Sequence, residues 1–357
     1  MKYPQIRNIC DFGYYAFGKS KFAYEFTGFM LLANNIMLIG FHILTGAKSS
    51  IRDHLADGHP HIPSEDTTPR LVHVHGLRCV HGHGYPLISH IRGIEPAPLY
   101  GYNGDYPTDW KVRTYAFPLP GTTWVACMNA VLNTTFLWVP QILFPTFISE
   151  MEKPQDIPKS LAVLTTISAF LFIVPPAIGF RYLGQYSTQS PAFGSLGIVA
   201  YKKASFAFVI VPTLVIGIIY ANVSAKFLYF RLLRGSHHAH SNTVLGWGVW
   251  VAIVAVIWII AFIFAEVIPS MGDFLSLLGA AFDSFFGFVF FAVAYYQLYR
   301  SRLFAGLGRS VISVVHVFVM VVGLFLLGPG LYAAVKAILA DYAGSTTPAF
   351  TCSNMSI

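Results

Sequence analysis

The sequence contains few charged residues, few cysteines and no recognisable enzyme motif. Only 11% of its 357 residues are Asp, Glu, Lys or Arg, whereas 55% are hydrophobic. An ordinary soluble domain carries about twice that share of charged residues, so the composition excludes one. It indicates an all-α polytopic membrane protein, in which long apolar helices cross the bilayer.

The cysteine spacing, the lack of enzyme motifs and the distribution of charge narrow the possible classes of protein further. The four cysteines lack C-x-x-C spacing and the density of a disulfide scaffold, and they give no information on redox compartment. Without a nucleophile elbow, phosphate-binding loop, H-E-x-x-H helix or dinucleotide fingerprint, the sequence predicts no enzyme and no cofactor. The net charge of +7 is dispersed in short groups beside apolar segments, so nucleic acid is not an expected partner.

The chain is organised around residues 121–154, GTTWVACMNAVLNTTFLWVPQILFPTFISEMEKP. This stretch is long and apolar enough to cross a bilayer, yet it contains polar residues and two prolines within the span. They are Asn129, Asn133, Thr134, Thr135, Gln141, Pro140 and Pro145. Such residues are typical of a broken helix that lines a substrate site near the middle of the membrane. The alternative is a kinked membrane helix packed by its neighbours.

Six further apolar stretches bring the predicted number of crossings to seven. They are residues 22–44, 161–180, 204–228, 244–265, 274–297 and 311–339. Asn34 and Asn35 are adjacent in the first of these, and we expect them to form hydrogen bonds to a neighbouring helix.

The distribution of Lys and Arg predicts a cytoplasmic N-terminus, because short cytoplasmic loops carry an excess of these residues. Outside the His-rich region, this orientation places twelve of them inside and four outside. The inside set is Lys2, Arg7, Lys19, Lys21, Lys153, Lys159, Lys226, Arg231, Arg234, Arg300, Arg302 and Arg309. The outside set is Arg181, Lys202, Lys203 and Lys336.

Residues 47–114 form a polar segment that holds eight of the thirteen histidines. The H-x-H pairs are His59/His61, His73/His75 and His81/His83. Alternate histidines on an extended chain lie on one side, so a metal-binding membrane protein is one alternative function. No carboxylate or Cys pair accompanies them at ligand spacing, and a disordered polar loop is the competing interpretation.

Polar residues inside the other spans are candidates for ion coupling. Asp283 is an ionisable group within a span, which suggests an ion or proton pathway; hydrogen bonding to Ser276 or Ser284 is the structural alternative. Asn222 and Ser224 are further candidates, but residues two apart do not share a helix face. At most one of them is expected to line a cavity. Glu266 and Asp273 flank a membrane boundary and are interpreted as solvated loop charges.

Several blocks of sequence resemble the fungal neutral amino-acid permeases of the amino acid/auxin permease family. The blocks are WVPQILFPTFISEMEKPQDIPKSLAVL, FRYLGQYSTQSPAFGSLGIVAYKKASFAF and VSAKFLYFRLLRGSHH, within a resemblance that covers residues 115–357. The block YPQIRNICDFGYYAFGKSKFAYEFTGFMLLANNIMLIGFHILTGAK is similar to the region around that family's third membrane helix.

The resemblance implies a LeuT-like fold of the APC superfamily, built from two inverted five-helix repeats plus an extra helix. It implies proton-coupled symport of neutral amino acids, with sodium as the alternative ion, in the plasma membrane or else the vacuolar membrane. Residues 121–154 would be helix six, with its unwound part near Trp138, Val139 and Pro140. The implied substrate-binding residues are Asn133, Trp138, Val139, Pro140 and Gln141.

The chain also departs from the family pattern. It lacks the family's first two helices, and residues 49–94 replace helices four and five, which suggests a shifted reading frame or altered splicing. We therefore expect a partial LeuT-like fold with about seven transmembrane helices rather than eleven. The expected regions are 1–46, 47–114, 115–340 and a tail at 341–357. A third possible function follows, that of a non-transporting fragment associated with a full-length permease.

Overall fold

The computed structural model describes residues 6, 8–58, 114–138, 141–184, 199–239, 241–268 and 270–344. These residues form helices and no strand, which confirms the all-α prediction. The α-helices are α1 (Ile9–Ala16), α2 (Lys21–Gly58), α3 (Trp124–Phe136), α4 (Phe144–Glu150), α5 (Ile157–Leu183), α6 (Val199–Leu232), α7 (Val244–Val267), α8 (Met271–Leu278), α9 (Phe291–Tyr299), α10 (Leu307–Phe325) and α11 (Leu331–Gly344).

Two π-helical segments continue these helices. The first π segment, Gly279–Phe290, joins α8 to α9, and the second, Leu326–Gly330, joins α10 to α11. Short 3₁₀ turns occur at Gln141–Leu143, Pro154–Asp156 and His237–Ala239.

Six helical stretches of the described chain are long and apolar enough to cross a membrane, so the chain is an integral, multi-pass membrane protein. They are Lys21–Gly46, Pro154–Arg181, Lys203–Leu232, Val244–Val267, Met271–Tyr299 and Leu307–Ala343. Each corresponds to a predicted span. The seventh predicted crossing, residues 121–154, is divided into shorter helical pieces.

Helix α2 extends further than the sequence predicted. It continues to Gly58, so residues 47–58 are helical and do not belong to a disordered loop. No proline or glycine occurs in this part of α2 before Gly58, and its Ala, Lys, Arg and Leu residues favour a helix. The rest of the His-rich segment as far as residue 113, including all three H-x-H pairs, lies outside the described residues.

Side-chain caps explain where several helices begin. The Asn8 side chain accepts a hydrogen bond from the Asp11 N–H at 2.8 Å, and Thr123 accepts one from the Ala126 N–H at 3.3 Å. Ser270 caps α8 in the same manner. Each cap satisfies an amide that has no acceptor within its own helix.

The described chain divides into two compact units. The first comprises Met1–Leu44, Gly121–Ala162 and Val215–Ser353. Its core contains Phe274, Leu278, Phe286 and Phe290, which are fully buried on α8 and the first π segment. Helix α3 packs against α8, the first π segment and α11, so the interrupted region is held by the core of this unit.

Glycine permits helix backbones in the first unit to approach closely at two positions. A Cβ atom placed on Gly279 would lie 2.6 Å from the Leu132 carbonyl oxygen on α3. A Cβ atom on Gly40 would likewise lie 2.7 Å from the Ala261 carbonyl oxygen. These contacts are typical of membrane helices, in which small residues allow backbones to pack closely.

The second unit comprises Thr45–Pro120, Val163–Leu214 and Asn354–Ile357. Its described membrane helices contain proline in their interiors, Pro175 and Pro176 in α5 and Pro212 in α6. The Thr213 hydroxyl donates to backbone carbonyls of the preceding turn, Val209 at 2.9 Å and Ile210 at 2.7 Å. Such bonds satisfy hydroxyl groups that face an apolar environment.

Cys10 on α1 provides a test of how firmly α1 is packed. Its side chain is fully buried, and burial, with the nearby Asp11 charge, raises the pKa of its thiol to about 12. At pH 8 the reactive thiolate fraction should therefore be roughly 10³-fold below that of a free cysteine. We expect Cys10 in the folded chain to resist N-ethylmaleimide, as measured by peptide mass spectrometry, whereas the half-buried Cys127 reacts.

Unfolding in SDS is the control, because it should make Cys10 as reactive as the other cysteines. Rapid modification of Cys10 before unfolding would contradict the packing of α1 against α4 and α9.

Candidate functional site

The stretch that the sequence identified as central is interrupted in the structure. Helix α3 ends at Phe136, and the Leu137 and Trp138 amides turn back to the Thr134 and Thr135 carbonyls at 3.3 and 3.0 Å. Helical structure resumes as a 3₁₀ turn at Gln141–Leu143 and continues in α4. The prediction of an interrupted helix is therefore confirmed. Val139 and Pro140 lie outside the described residues.

The end of α3 also contains side chains that compete for backbone carbonyls. The Thr134 and Thr135 hydroxyls donate to the Ala130 and Val131 carbonyl oxygens, each at 2.9 Å. Hydrogen bonds of this type are common in membrane helices and often bend them. Both bonds lie in the last turn of α3, immediately before the interruption.

Asn133 is held by a serine on α8. The Ser276 hydroxyl is fully buried and lies 3.1 Å from Asn133 Oδ1, 3.4 Å from the Asn129 carbonyl oxygen and 3.0 Å from the Gly272 carbonyl oxygen. One hydroxyl proton is shared among these acceptors. Ser276 therefore fixes the side of α3 that carries Asn133.

Asp273 belongs to the same contact between α3 and α8. The Asn129 side-chain amide donates to Asp273 Oδ1 at 3.3 Å. The interpretation of Asp273 as a solvated loop charge is wrong, because the residue is half-buried in the first turn of α8, beneath the Ser270 cap. This contact brings a carboxyl group against α3, the first half of the interrupted element.

Asp283 lies in the first π segment and is only 5% exposed. Its Oδ2 atom is buried and has no hydrogen-bond partner among the described residues. The expected serine partners are engaged elsewhere: Ser284 donates to the Ala280 carbonyl, and Ser276 to the acceptors given above. The Tyr220 side chain on α6 is close enough to interact with the charge of the Asp283 carboxylate.

The position of Asp283 relates it to the interruption. The first π segment packs against both α3 and the Gln141–Leu143 turn. Short π-helical bulges within α-helices are frequent at functional sites, and here 12 residues of a membrane helix are π-helical. The buried carboxyl of Asp283, the π segment and the end of α3 therefore occur together in one part of the first unit.

The polar residues on α6 occupy opposite faces. Ser224 is buried and accepts a hydrogen bond from the Asn35 side-chain amide at 3.1 Å, and Asn222 is exposed. Asn34 contributes a weaker contact to Asn35 at 3.5 Å. The expected hydrogen bond from the Asn pair to a neighbouring helix is confirmed, and Ser224 serves helix packing.

Two features were not predicted from sequence. The link between Ser276 and Asn133 joins residues 143 positions apart, and no local pattern predicts such a pairing. His42 on α2 is partly buried, and its buried Nδ1 atom has no hydrogen-bond partner in the described part of the chain. As for metals, the described residues contain no group of three His, Cys, Asp or Glu side chains that could hold an ion.

Comparison with known proteins identifies the family. The family model described as "Transmembrane amino acid transporter protein" matches residues 108–336. A "Transmembrane transporter" from Gibberella moniliformis is 29% identical over 255 residues, which cover 71% of this chain and 52% of the relative. One of the same description from Fusarium pseudograminearum is 30% identical, with the same shares covered.

A relative from Neurospora crassa, an "N amino acid transport system protein", is 26% identical over 371 aligned residues. This alignment covers 99% of the chain and 76% of the relative. The chain spans about half the length of the Gibberella and Fusarium relatives. No solved structure matches the chain significantly. The family match extends over more than half of the sequence and includes the interrupted element, α8 and the first π segment. The chain therefore belongs to the transmembrane amino acid transporter family, which is a family of transporters and not of enzymes.

Proposed function

We propose that the chain is a secondary transporter that carries neutral amino acids together with protons. The observation that supports this most directly is the interruption between α3 and α4, within the residues that match the family. The Neurospora relative is named as an amino acid transport protein, which favours amino acids as substrates. A LeuT-like arrangement, with residues 121–154 as helix six, is part of the proposal.

The proposed substrate site uses the backbone at the interruption. An unwound helix leaves amide and carbonyl groups without partners in the helix, and these can bind the charged ends of an amino acid. The proposed substrate-binding residues here are Trp138, Val139, Pro140 and Gln141; of these, Trp138 has its amide bonded to the Thr135 carbonyl. Asn133, held by Ser276, adds a side-chain amide directed by its hydrogen bond.

Asp283 is the proposed coupling residue. A single buried carboxyl with an unpartnered oxygen can bind and release one proton, which favours protons over sodium as the coupling ion. The other candidates have weaker support, because Ser224 is bonded to Asn35 and Asn222 is exposed.

The proposed orientation places the N-terminus in the cytoplasm, as the Lys and Arg distribution favours. The proposed location is the plasma membrane. Uptake from the medium would then bring amino acids into the cell, with protons moving in the same direction.

Uptake by a host deficient in neutral amino-acid permeases tests the function. We expect saturable uptake of radiolabelled neutral amino acids that increases as the external pH falls. Asn133→Ala should reduce uptake tenfold or more, since a hydrogen bond to a charged group contributes about 1.5–3 kcal/mol. Asn242→Ala is the matched control, because Asn242 is an exposed residue preceding α7 and should be dispensable.

A folded chain that reaches the membrane but takes up no amino acid would contradict the proposal. Co-purification of that inactive chain with a full-length permease would then favour the non-transporting alternative.

A further inference from the structure

A cavity of about 820 Å³ lies in the first unit where α1, α2, α4 and the end of α6 meet. Its lining carries an excess of positive charge. Three of its residues are cations, Lys226 and Arg231 on α6 and Arg234 in the turn that follows it, and one is an acid on α2, Glu25. An anion is therefore the expected ligand of this cavity.

One of the three cations is already paired. Arg231 Nη2 forms an ion pair with Glu25 Oε2, and the Arg231 guanidinium also lies 6.0 Å from the centre of the Phe227 ring. Lys226 and Arg234 form no ion pair with any described residue. Both side chains of the Arg231–Glu25 pair are about half exposed, so the pair contributes little to stability and can open.

An exposed aromatic stripe runs beside the cavity. Phe22, Phe26 and Phe29 lie on one face of α2, and Phe22 and Phe29 are 78% and 66% exposed. Glu25 is three residues after Phe22 and four before Phe29, so the acid of the ion pair borders this stripe. Within a membrane-spanning helix, such a face contacts lipid acyl chains.

We infer that the cavity binds the headgroup of an anionic phospholipid. Lys226, Arg231 and Arg234 contact the phosphate, which displaces the Glu25 carboxylate from Arg231, and the acyl chains lie along the aromatic stripe. Basic pockets between transmembrane helices on the cytoplasmic side bind such headgroups, and this leaflet holds the anionic lipids. The proposed orientation places the cavity on that side. A soluble phosphate has the same headgroup chemistry but gains nothing from the stripe.

Lipid at this position would regulate the interrupted element. Leu143, from the 3₁₀ turn, and Thr146, from α4, also line the cavity. A bound headgroup therefore contacts the second half of the interrupted element as well as α6. This regulatory consequence depends on the proposed transport function, whereas lipid binding itself does not.

Binding can be measured on the purified full-length chain in neutral detergent. Native mass spectrometry and thermal melting would be recorded with short-chain phosphatidylserine, short-chain phosphatidylcholine or inorganic phosphate. We expect phosphatidylserine to bind and to raise the melting temperature, and the other two to do so far less. Lys226→Gln and Arg234→Gln should each weaken phosphatidylserine binding about fivefold.

Two further variants distinguish a specific headgroup site from general attraction of anionic lipid to a positively charged protein. Glu25→Gln removes the competing carboxylate and should strengthen phosphatidylserine binding. Arg309→Gln removes an exposed cation that is predicted to lie on the same side of the membrane but does not line the cavity, and it should change nothing. Size-exclusion chromatography identifies any variant that fails to fold, and binding by the correctly folded single variants then decides the question.

Three results would overturn the inference. Equal binding of phosphatidylcholine would show that the headgroup charge is not recognised. Equal stabilisation by inorganic phosphate would show that a soluble anion is the ligand. Equal losses in Arg309→Gln and in the two cavity variants would show that binding depends on overall charge. Failure of amino-acid uptake would leave this test unaffected, because neither native mass spectrometry nor thermal melting depends on transport.

Discussion

Gly279→Ala is expected to reduce amino-acid uptake at least tenfold and to destabilise the chain by about 2 kcal/mol, the usual cost of overpacking a core. The added methyl group would lie 2.6 Å from the Leu132 carbonyl oxygen, and this atom belongs to the backbone of α3 and cannot rotate away. Relief requires α3 to move from the first π segment. Because Asn133 follows Leu132 directly, that movement would displace the proposed substrate site. Thermal melting and radiolabelled uptake measure the two effects.

Gly248→Ala is the matched control for this variant. Gly248 lies in α7, and a Cβ atom placed there meets no atom within 4 Å. The change in intrinsic helix propensity is the same at both positions, so a difference between the two variants reports the contact with α3. Unchanged uptake and melting in Gly279→Ala would show that α3 and the π segment are less closely packed than the structure indicates.

The parts of the fold that depend on composition were predictable from sequence. Six of the seven predicted spans were found from their length and hydrophobicity and are continuous helical stretches in the structure. Such segments are recognisable because a helix in lipid must bond its own backbone N–H and C=O groups and must present apolar side chains to the lipid. The interruption after Phe136 was also predictable, because Pro140 disfavours the α conformation in the residue before it and removes an amide donor. Local sequence therefore determines both the spans and the break in residues 121–154.

The contacts that build the candidate site were not predictable in this way. The sequence GAAFDSFFGFVF has no periodicity that distinguishes a π-helix from an α-helix, yet it forms the first π segment. Asp273 resembled a loop charge because it flanks a membrane boundary, but it is half-buried and accepts a hydrogen bond from Asn129 on α3. Both outcomes depend on partners distant in sequence, and a single sequence contains no signal for them.

The Asp283→Asn variant is expected to lose the coupling of transport to protons while it keeps the ability to exchange amino acids. Asparagine preserves the size of the side chain but cannot ionise, so the variant should lose acid-stimulated accumulation by tenfold or more. Exchange of external for internal amino acid requires no net proton movement and should stay within about twofold of the parent chain. The melting temperature should be equal or higher, because the change removes a buried carboxyl whose Oδ2 has no partner among the described residues.

The combination of outcomes distinguishes coupling from packing. A structural role for Asp283 would lower the melting temperature and reduce exchange and accumulation together, whereas a coupling role affects accumulation alone. Asp156→Asn is the control for loss of a carboxylate, since Asp156 pairs with Lys159 at an exposed site of small energetic value. If Asp283→Asn kept full acid-stimulated accumulation, the proton would have to bind elsewhere. Asp273 would be the next position to substitute, because its carboxyl accepts a hydrogen bond from Asn129 on α3.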